Sequence, residues 1–391
     1  MLEHRFDTAS PDEELAGLFA HYSGPGEVER LLAAAHAQVV RWRWATESMS
    51  FAAPFARELY GAAPARWLTD DKAKPEKHVR HGLDAAGRIL IECSQNGCRL
   101  QASLHTPQCC VRLDCGEGDR LASIDMSRYD AGRLLEYAVH FRSHGFTTRY
   151  VYQGERLQCT VTRNWTAGEP HWDCRELYSY DAAGQLARID LQYLDAAGEV
   201  KPATERLLYL ALPRGETLKS IEARVQSLLL AALQDALARL PRDEPLYCLL
   251  LCYTSGDVSA AWPPFLVCGR ESYRQNILAA GEDVSYSLWA PDEITAEVAG
   301  CDYWLDEPAL KEACLLHAQL MQLKQSDTSA LRVLKQVMAP LEAMVRAAGV
   351  TLADDFVVAY ADNTGAVDPL PALKARLPAE QWAVLKQRGC V

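Results

Sequence analysis

The residue types able to do chemistry in this 391-residue chain are thirteen cysteines, ten histidines and a dense run of carboxylates. His78, His81, Cys93, Cys98, Cys109, Cys110 and Cys115 fall within 38 residues, and these side chains can ligate zinc. A zinc site needs paired ligands two to four residues apart, held on a turn so that four donors converge. Here the pairs are five apart or adjacent, and alternating strand-like sequence sends neighbours to opposite faces. The spacing therefore favours thiols buried as small hydrophobes. Cys248 and Cys252, inside an apolar run, read the same way, and nothing orients His140 and His144 beside Gly145. A cysteine nucleophile requires a base and an activating environment, and no cysteine carries a local signature of either. There is no Gly-x-Ser-x-Gly elbow, His-Glu-x-x-His helix, phosphate-cradling loop or dinucleotide fingerprint. The expectation is a protein that binds rather than one that catalyses, with no cofactor and no metal.

One constellation stands apart electrostatically. Between residues 282 and 312 lie Glu282, Asp283, Asp292, Glu293, Glu297, Asp302, Asp306, Glu307 and Glu312, with Lys311 as the single basic residue. That stretch carries −8 of a net charge of −12. Tyr286, Trp289, Tyr303 and Trp304 are interleaved with the acids. Rings supply area that can be desolvated and carboxylates steer an encounter, so the set reads as a docking surface for a basic protein. A solvated acidic face over a few core aromatics is the competing reading. The whole-chain balance, 40 basic against 52 acidic residues, argues against gripping a phosphate backbone as the main task.

The elements that must position these residues fall into three stretches, and the fold class expected is α+β. Residues 1–75 read as helical, with Ser10-Pro11-Asp-Glu-Glu14 as a start signal and apolar positions from Val28 to Val39 and Trp42 at helical spacing. Trp42, Trp44 and Trp67 are expected in the core, and residues 70–75 as a linker. Residues 76–212 switch to short alternating runs separated by tight-turn signals, the pattern of an antiparallel repeat sheet. The turns are Leu83-Asp84-Ala-Ala-Gly87, Tyr129-Asp130-Ala-Gly132, Tyr180-Asp181-Ala-Ala-Gly184 and Leu194-Asp195-Ala-Ala-Gly198, with weaker copies at Gly118 and Gly154. Gly87, Gly118 and Gly132 recur as Gly154, Gly184 and Gly198 at offsets of 67, 66 and 66, and Leu121–Met126 matches Leu186–Leu191. An internal duplication is the reading. Residues 213–391 read as an α+β domain: a helix over 215–240, strands at 246–253, 264–268 and 355–360, and helices at 271–280, 307–324, 328–348 and 377–388.

Tyr129-Asp130-Ala-Gly132-Arg133-Leu134 and Tyr180-Asp181-Ala-Ala-Gly184-Gln185-Leu186 resemble the YD repeats of bacterial Rhs-type toxin shells. The resemblance covers about a third of the chain, with too few repeats to close a shell. The helix–strand–strand–helix order after residue 213, with Leu288-Trp289-Ala-Pro291-Asp-Glu-Ile, resembles uncharacterised domains encoded in immunity loci of polymorphic-toxin systems. Together these resemblances imply an immunity protein of a type VI, Rhs-type effector. It would be a cytoplasmic protein that neutralises a basic toxin, such as a DNase, by occlusion, without touching nucleic acid or membrane. The alternative they imply is an adaptor or chaperone for such an effector. An enzyme assembled from scattered residues stands behind both. The polar start of the chain and the shortness of the longest apolar run, Leu228–Leu233, agree with a cytoplasmic location.

Overall fold

Asp84, Asp181 and Asp195 each reverse the chain in the same way. In each turn the aspartate Oδ1 accepts the backbone N–H four residues on (Arg88, Gln185, Glu199; 2.8–2.9 Å). The aspartate's own N–H donates to that residue's carbonyl, and the glycine N–H to the aspartate carbonyl. The side chain thus satisfies donors that the turn leaves free, and a strand must follow on each side. The fourth turn is one residue shorter. Ala131 and Gly132 both take positive φ (47° and 81°), the two-residue geometry whose twist matches the flanking strands.

A computed structural model describes residues 11–49, 53–61, 64–94, 99–116, 120–281, 283–324 and 326–391. The chain forms two compact units, residues 1–209 and 210–391.

The first unit begins with helices α1 (Pro11–Tyr22) and α2 (Glu27–Gln38). Strand β1 (Arg41–Ala45), helix α3 (Ala56–Tyr60) and strand β2 (Trp67–Leu68) follow. Then come β3 (Val79–Leu83), β4 (Ile89–Ser94), β5 (Arg99–His105), β6 (Cys109–Cys115), β7 (Leu121–Asp130) and β8 (Arg133–Phe141). The run ends with β9 (His144–Gln153), β10 (Arg156–Thr166), β11 (Trp172–Tyr180), β12 (Leu186–Leu194) and β13 (Arg206–Leu210). They make one thirteen-stranded sheet in which β3 to β13 lie side by side in sequence order, with β1 and β2 added beyond β3. The N-terminal stretch expected to be helical therefore contributes two strands to this sheet. Val39 leaves α2 in extended backbone (ψ 120°), and Arg-Trp-Arg-Trp then alternates with the period of a strand.

Leu15 of α1 buries against Leu113, Ile124, Met126 and Ala138, and Val28 and Leu32 of α2 against Ala102 and Cys115. These residues share one sheet face. On the other, Phe55 stacks on Tyr178 at 5.4 Å, and Leu59 joins a cluster with Leu157 and Ile189. Ile124 and Ile189 hold equivalent places in the two sequence repeats and both are fully buried, yet they look to opposite faces. The weaker turn copy at Gly118 lies outside the described residues.

The second unit contains α4 (Leu218–Ala238), β14 (Leu246–Tyr253), β15 (Phe265–Arg270), α5 (Glu271–Ala280), α6 (Val284–Trp289), α7 (Pro291–Glu297) and β16 (Asp302–Tyr303). It continues with α8 (Pro308–Leu323), α9 (Thr328–Ala347), β17 (Leu352–Asp362), α10 (Pro369–Arg376) and α11 (Ala379–Gln387). Its sheet runs β16-β15-β14-β17, with β14 parallel to β17. Every residue of β14 is buried, as a strand covered on both faces requires. Helices α4, α8 and α9 pack together, as do α5, α6, α7 and α10. Thr217 caps α4 by accepting the Ser220 N–H.

Candidate functional site

The last part of the acidic segment, from Asp302 to Asp306, comes out at one end of the second unit's sheet. The parallel strands β14 and β17 finish at Tyr253 and Asp362, and the reversed strand β15 starts at Phe265 opposite Cys252. Strand β16 ends at Tyr303, paired with Leu266, so Trp304 emerges at that same end. Its indole stacks on Phe265 (4.4 Å, 16°) and donates Nε1–H to Asp302 Oδ2 at 2.9 Å. Trp304 is 49% exposed. Held on one face by a buried ring and at its nitrogen by a carboxylate, it offers the opposite face to solvent with little rotamer freedom left to lose.

The other sequence-selected residues divide. Asp283 and Tyr286 are exposed on and before α6, and Asp292 and Glu293 are half-buried in the first turn of α7. The Asp292 carboxylate beside Tyr286 raises the phenol's pKa, with burial and Glu293 adding to it. Asp302 and Asp306 are exposed, and Asp306 is held by Lys311 at 2.7 Å. Glu307 is half-buried just before α8. Tyr303 is half-buried, with the Arg239 guanidinium 5.7 Å from its ring centroid. Glu282 lies outside the described residues.

Trp289 is a correction. It is 1% exposed, its Nε1–H donates to the Cys390 carbonyl at 2.9 Å, and its ring meets Tyr247 edge-on at 5.8 Å. Two short helices turn it inward, so it anchors the core and cannot meet a partner.

The sequence reading passed over Asp362, which organises this end. Its carboxylate accepts from the Ser255, Ala366 and Val367 N–H groups and the Thr364 hydroxyl. Burial opposes ionisation, but these bonds hold its carboxyl below the usual carboxylate range. The Gly365 backbone in this loop packs against the Tyr286 hydroxyl.

Two other places have the ingredients of chemistry. Ser329 (α9) lies between His317 Nε2 (α8, 2.7 Å) and Glu222 Oε2 (α4, 2.5 Å), and Arg332 also binds Glu222. If the hydroxyl donates to Glu222, His317 Nε2–H donates to Ser329, which leaves the imidazole unable to take the serine proton through that contact. All three side chains are buried, and burial pushes the His317 imidazole down to about 4. The array is a polar seam joining three helices.

In the first unit, an open groove of about 710 Å³ is lined by Arg128, Arg133, Leu135, Glu136, Arg149 and Tyr152 among others. Its arginines are already matched: Arg128 with Glu14 and Glu136, Arg149 with Glu136, Arg133 with Glu155. Of the cysteine–histidine set, His81 binds Glu92 at 3.1 Å and Cys98 lies outside the described residues. Burial raises the Cys93, Cys109 and Cys110 thiols, the last to about 11. Among the described residues no three His, Cys, Asp or Glu side chains are grouped to hold a metal ion. No helix among them is long and apolar enough to cross a membrane.

No family model matches this chain. The large ribosomal subunit protein uL13 of Dehalococcoides mccartyi is 32% identical over 76 residues, which cover 19% of this chain and 52% of that protein. The chain thus spans about half the length of that curated relative.

Proposed function

We infer that the protein is an immunity protein that binds and neutralises a basic bacterial toxin through the carboxylate-ringed end of its second unit. The observation that carries this reading is Trp304, a half-exposed indole held by Phe265 and Asp302 and followed in the chain by Asp306 and Glu307. A pre-positioned aromatic ring is the type of anchor that concentrates binding energy, and surrounding carboxylates accelerate encounter with Lys- and Arg-rich surfaces. A toxin that cleaves nucleic acid must present such a surface, so a nuclease is the partner class that fits, with inhibition by occlusion. The sequence resemblance to toxin-locus modules supports the same reading.

The test is association kinetics with the cognate toxin. Reversing Asp302, Asp306 and Glu307 to Lys should slow association at least tenfold at low salt and flatten its salt dependence. An unchanged on-rate overturns the acidic end as the docking site. In the host, deletion of this protein should be lethal only while the toxin gene is intact; a block of effector export without poisoning would instead favour an adaptor.

A further inference from the structure

Exposure alternates where β16 ends. Asp302 and Trp304 are exposed, Tyr303 between them is half-buried, and Leu305 is 3% exposed. Strand β16 pairs Asp302 with Val267 and Tyr303 with Leu266, which brings Trp304 opposite Phe265, the ring it stacks on. Alternate residues of a strand share a side, so Asp302 and Trp304 stand on one face. The bond from the indole Nε1–H to Asp302 Oδ2 joins them there.

Both members of this pair keep capacity for a further contact. Stacking on Phe265 uses one face of the indole, and among the described residues no cation lies over the other. The Asp302 carboxylate accepts a neutral N–H, and no basic side chain among the described residues is within ion-pair distance of it. Two other indoles of the chain are supplied with a guanidinium internally. Arg43 lies 4.2 Å from the Trp67 ring centroid and Arg80 lies 4.7 Å from that of Trp42. The cations close to Trp304 in fold and sequence are engaged elsewhere. Arg239 donates to the Trp304 carbonyl at 3.3 Å and lies over the Tyr303 ring, and Lys311 holds Asp306 at 2.7 Å.

A guanidinium satisfies both needs at once. Its plane can lie on the open face of the indole, and its N–H groups spread around its rim, where a carboxylate at the edge of the ring can accept. An ammonium is compact and strongly hydrated, and it has no plane to stack. We propose that Trp304 and Asp302 receive one arginine side chain of the protein partner, stacked on the indole and hydrogen-bonded to the carboxylate. The proposal rests on the docking surface inferred above and names the side chain that docks there. Arginine is also the residue that forks phosphate, so capturing one from a nuclease would block its substrate while holding the complex.

The test uses the full chain and two peptides of equal charge, hexa-arginine and hexa-lysine, titrated by calorimetry at about 50 mM salt. Attraction to an acidic chain acts on both alike, so the ratio of their affinities reads the stacked guanidinium. Hexa-arginine should bind about fivefold tighter than hexa-lysine. Trp304→Leu, which removes the ring, should bring the ratio toward one. Asp302→Asn should do the same while keeping an acceptor for the indole. Unchanged melting temperatures of these variants separate a lost contact from a lost fold. Equal affinities in the parent, a preference that survives both substitutions, or no binding of either peptide overturns the proposal. Those results leave the docking surface standing, because that reading is decided separately by the toxin on-rate of the charge-reversed variant.

Discussion

Arg274 on α5 donates from one nitrogen to both oxygens of Asp355 on β17, at 2.9 and 3.0 Å, with the two side chains only 3% and 2% exposed. Arg388 reaches the same carboxylate at 3.0 Å. A buried pair of this kind costs desolvation on both sides, so its worth appears only when one partner is removed. Asp355→Ala should destabilise the second unit by about 3 kcal/mol, read as a lower denaturant midpoint, because it leaves the buried Arg274 guanidinium to Glu271 and takes the carboxylate from Arg388 as well. A loss below about 1 kcal/mol would mean that the guanidinium finds water when its partner leaves.

His317 makes stability depend on acid. Burial holds its folded-state pKa near 4, below the ordinary 6.5, with Arg332 lowering it further and Glu222 opposing. The unfolded chain therefore binds a proton that the folded one refuses. Its contribution is fully present above pH 6.5 and lost as pH falls from there toward 4. It amounts to about 3 kcal/mol across that window. Urea midpoints measured at neutral pH and near pH 4.5 should show this loss in the parent and a shallower one in His317→Gln.

Two tryptophans fifteen residues apart should respond oppositely to truncation. Trp289→Ala should cost about 3–5 kcal/mol by opening a cavity against Tyr247 and freeing the Cys390 carbonyl. Trp304→Ala should change stability by less than about 1 kcal/mol, since the ring is half-exposed, while weakening the partner complex at least tenfold. Thermal melts alongside binding isotherms separate the two.

The turns and one close contact govern the large sheet. Asp195→Ala removes two side-chain bonds to the Ala197 and Glu199 N–H groups and should cost about 1 kcal/mol. Gly145→Ala should be far worse. A Cβ there would sit 2.4 Å from the Val139 carbonyl and 2.8 Å from the Trp165 ring. Proteolytic susceptibility of the β8–β9 connection should rise sharply in the second variant and barely in the first.

The Asp-x-x-Gly turns were legible because their chemistry is local: one side chain and one glycine close the hairpin whatever surrounds them. The long helices were legible too, within a few residues, from their apolar spacing. Strand β1 was not. Val39 and Trp42 continue a helical spacing by coincidence, and the extended exit at Val39 is set by pairing with β3. The candidate surface was legible as charge, since acids in a run stay near water, but not as depth. Trp289 and Trp304 occur among similar acids. Only the tertiary packing of α6 against Tyr247, and the exit of β16 past Phe265, decides which ring is buried. Asp362 escaped notice because its bonding partners come from two loops more than a hundred residues apart.

From β4 to β13 each strand is hydrogen-bonded to the one that precedes it in the chain. Such an arrangement can be zipped up hairpin by hairpin, without waiting for distant segments to find one another. It can also be lengthened or shortened by whole hairpins without disturbing those already in place. A chain built in this way has a simple evolutionary route to a wider platform: copy a few turns and let the ribbon grow.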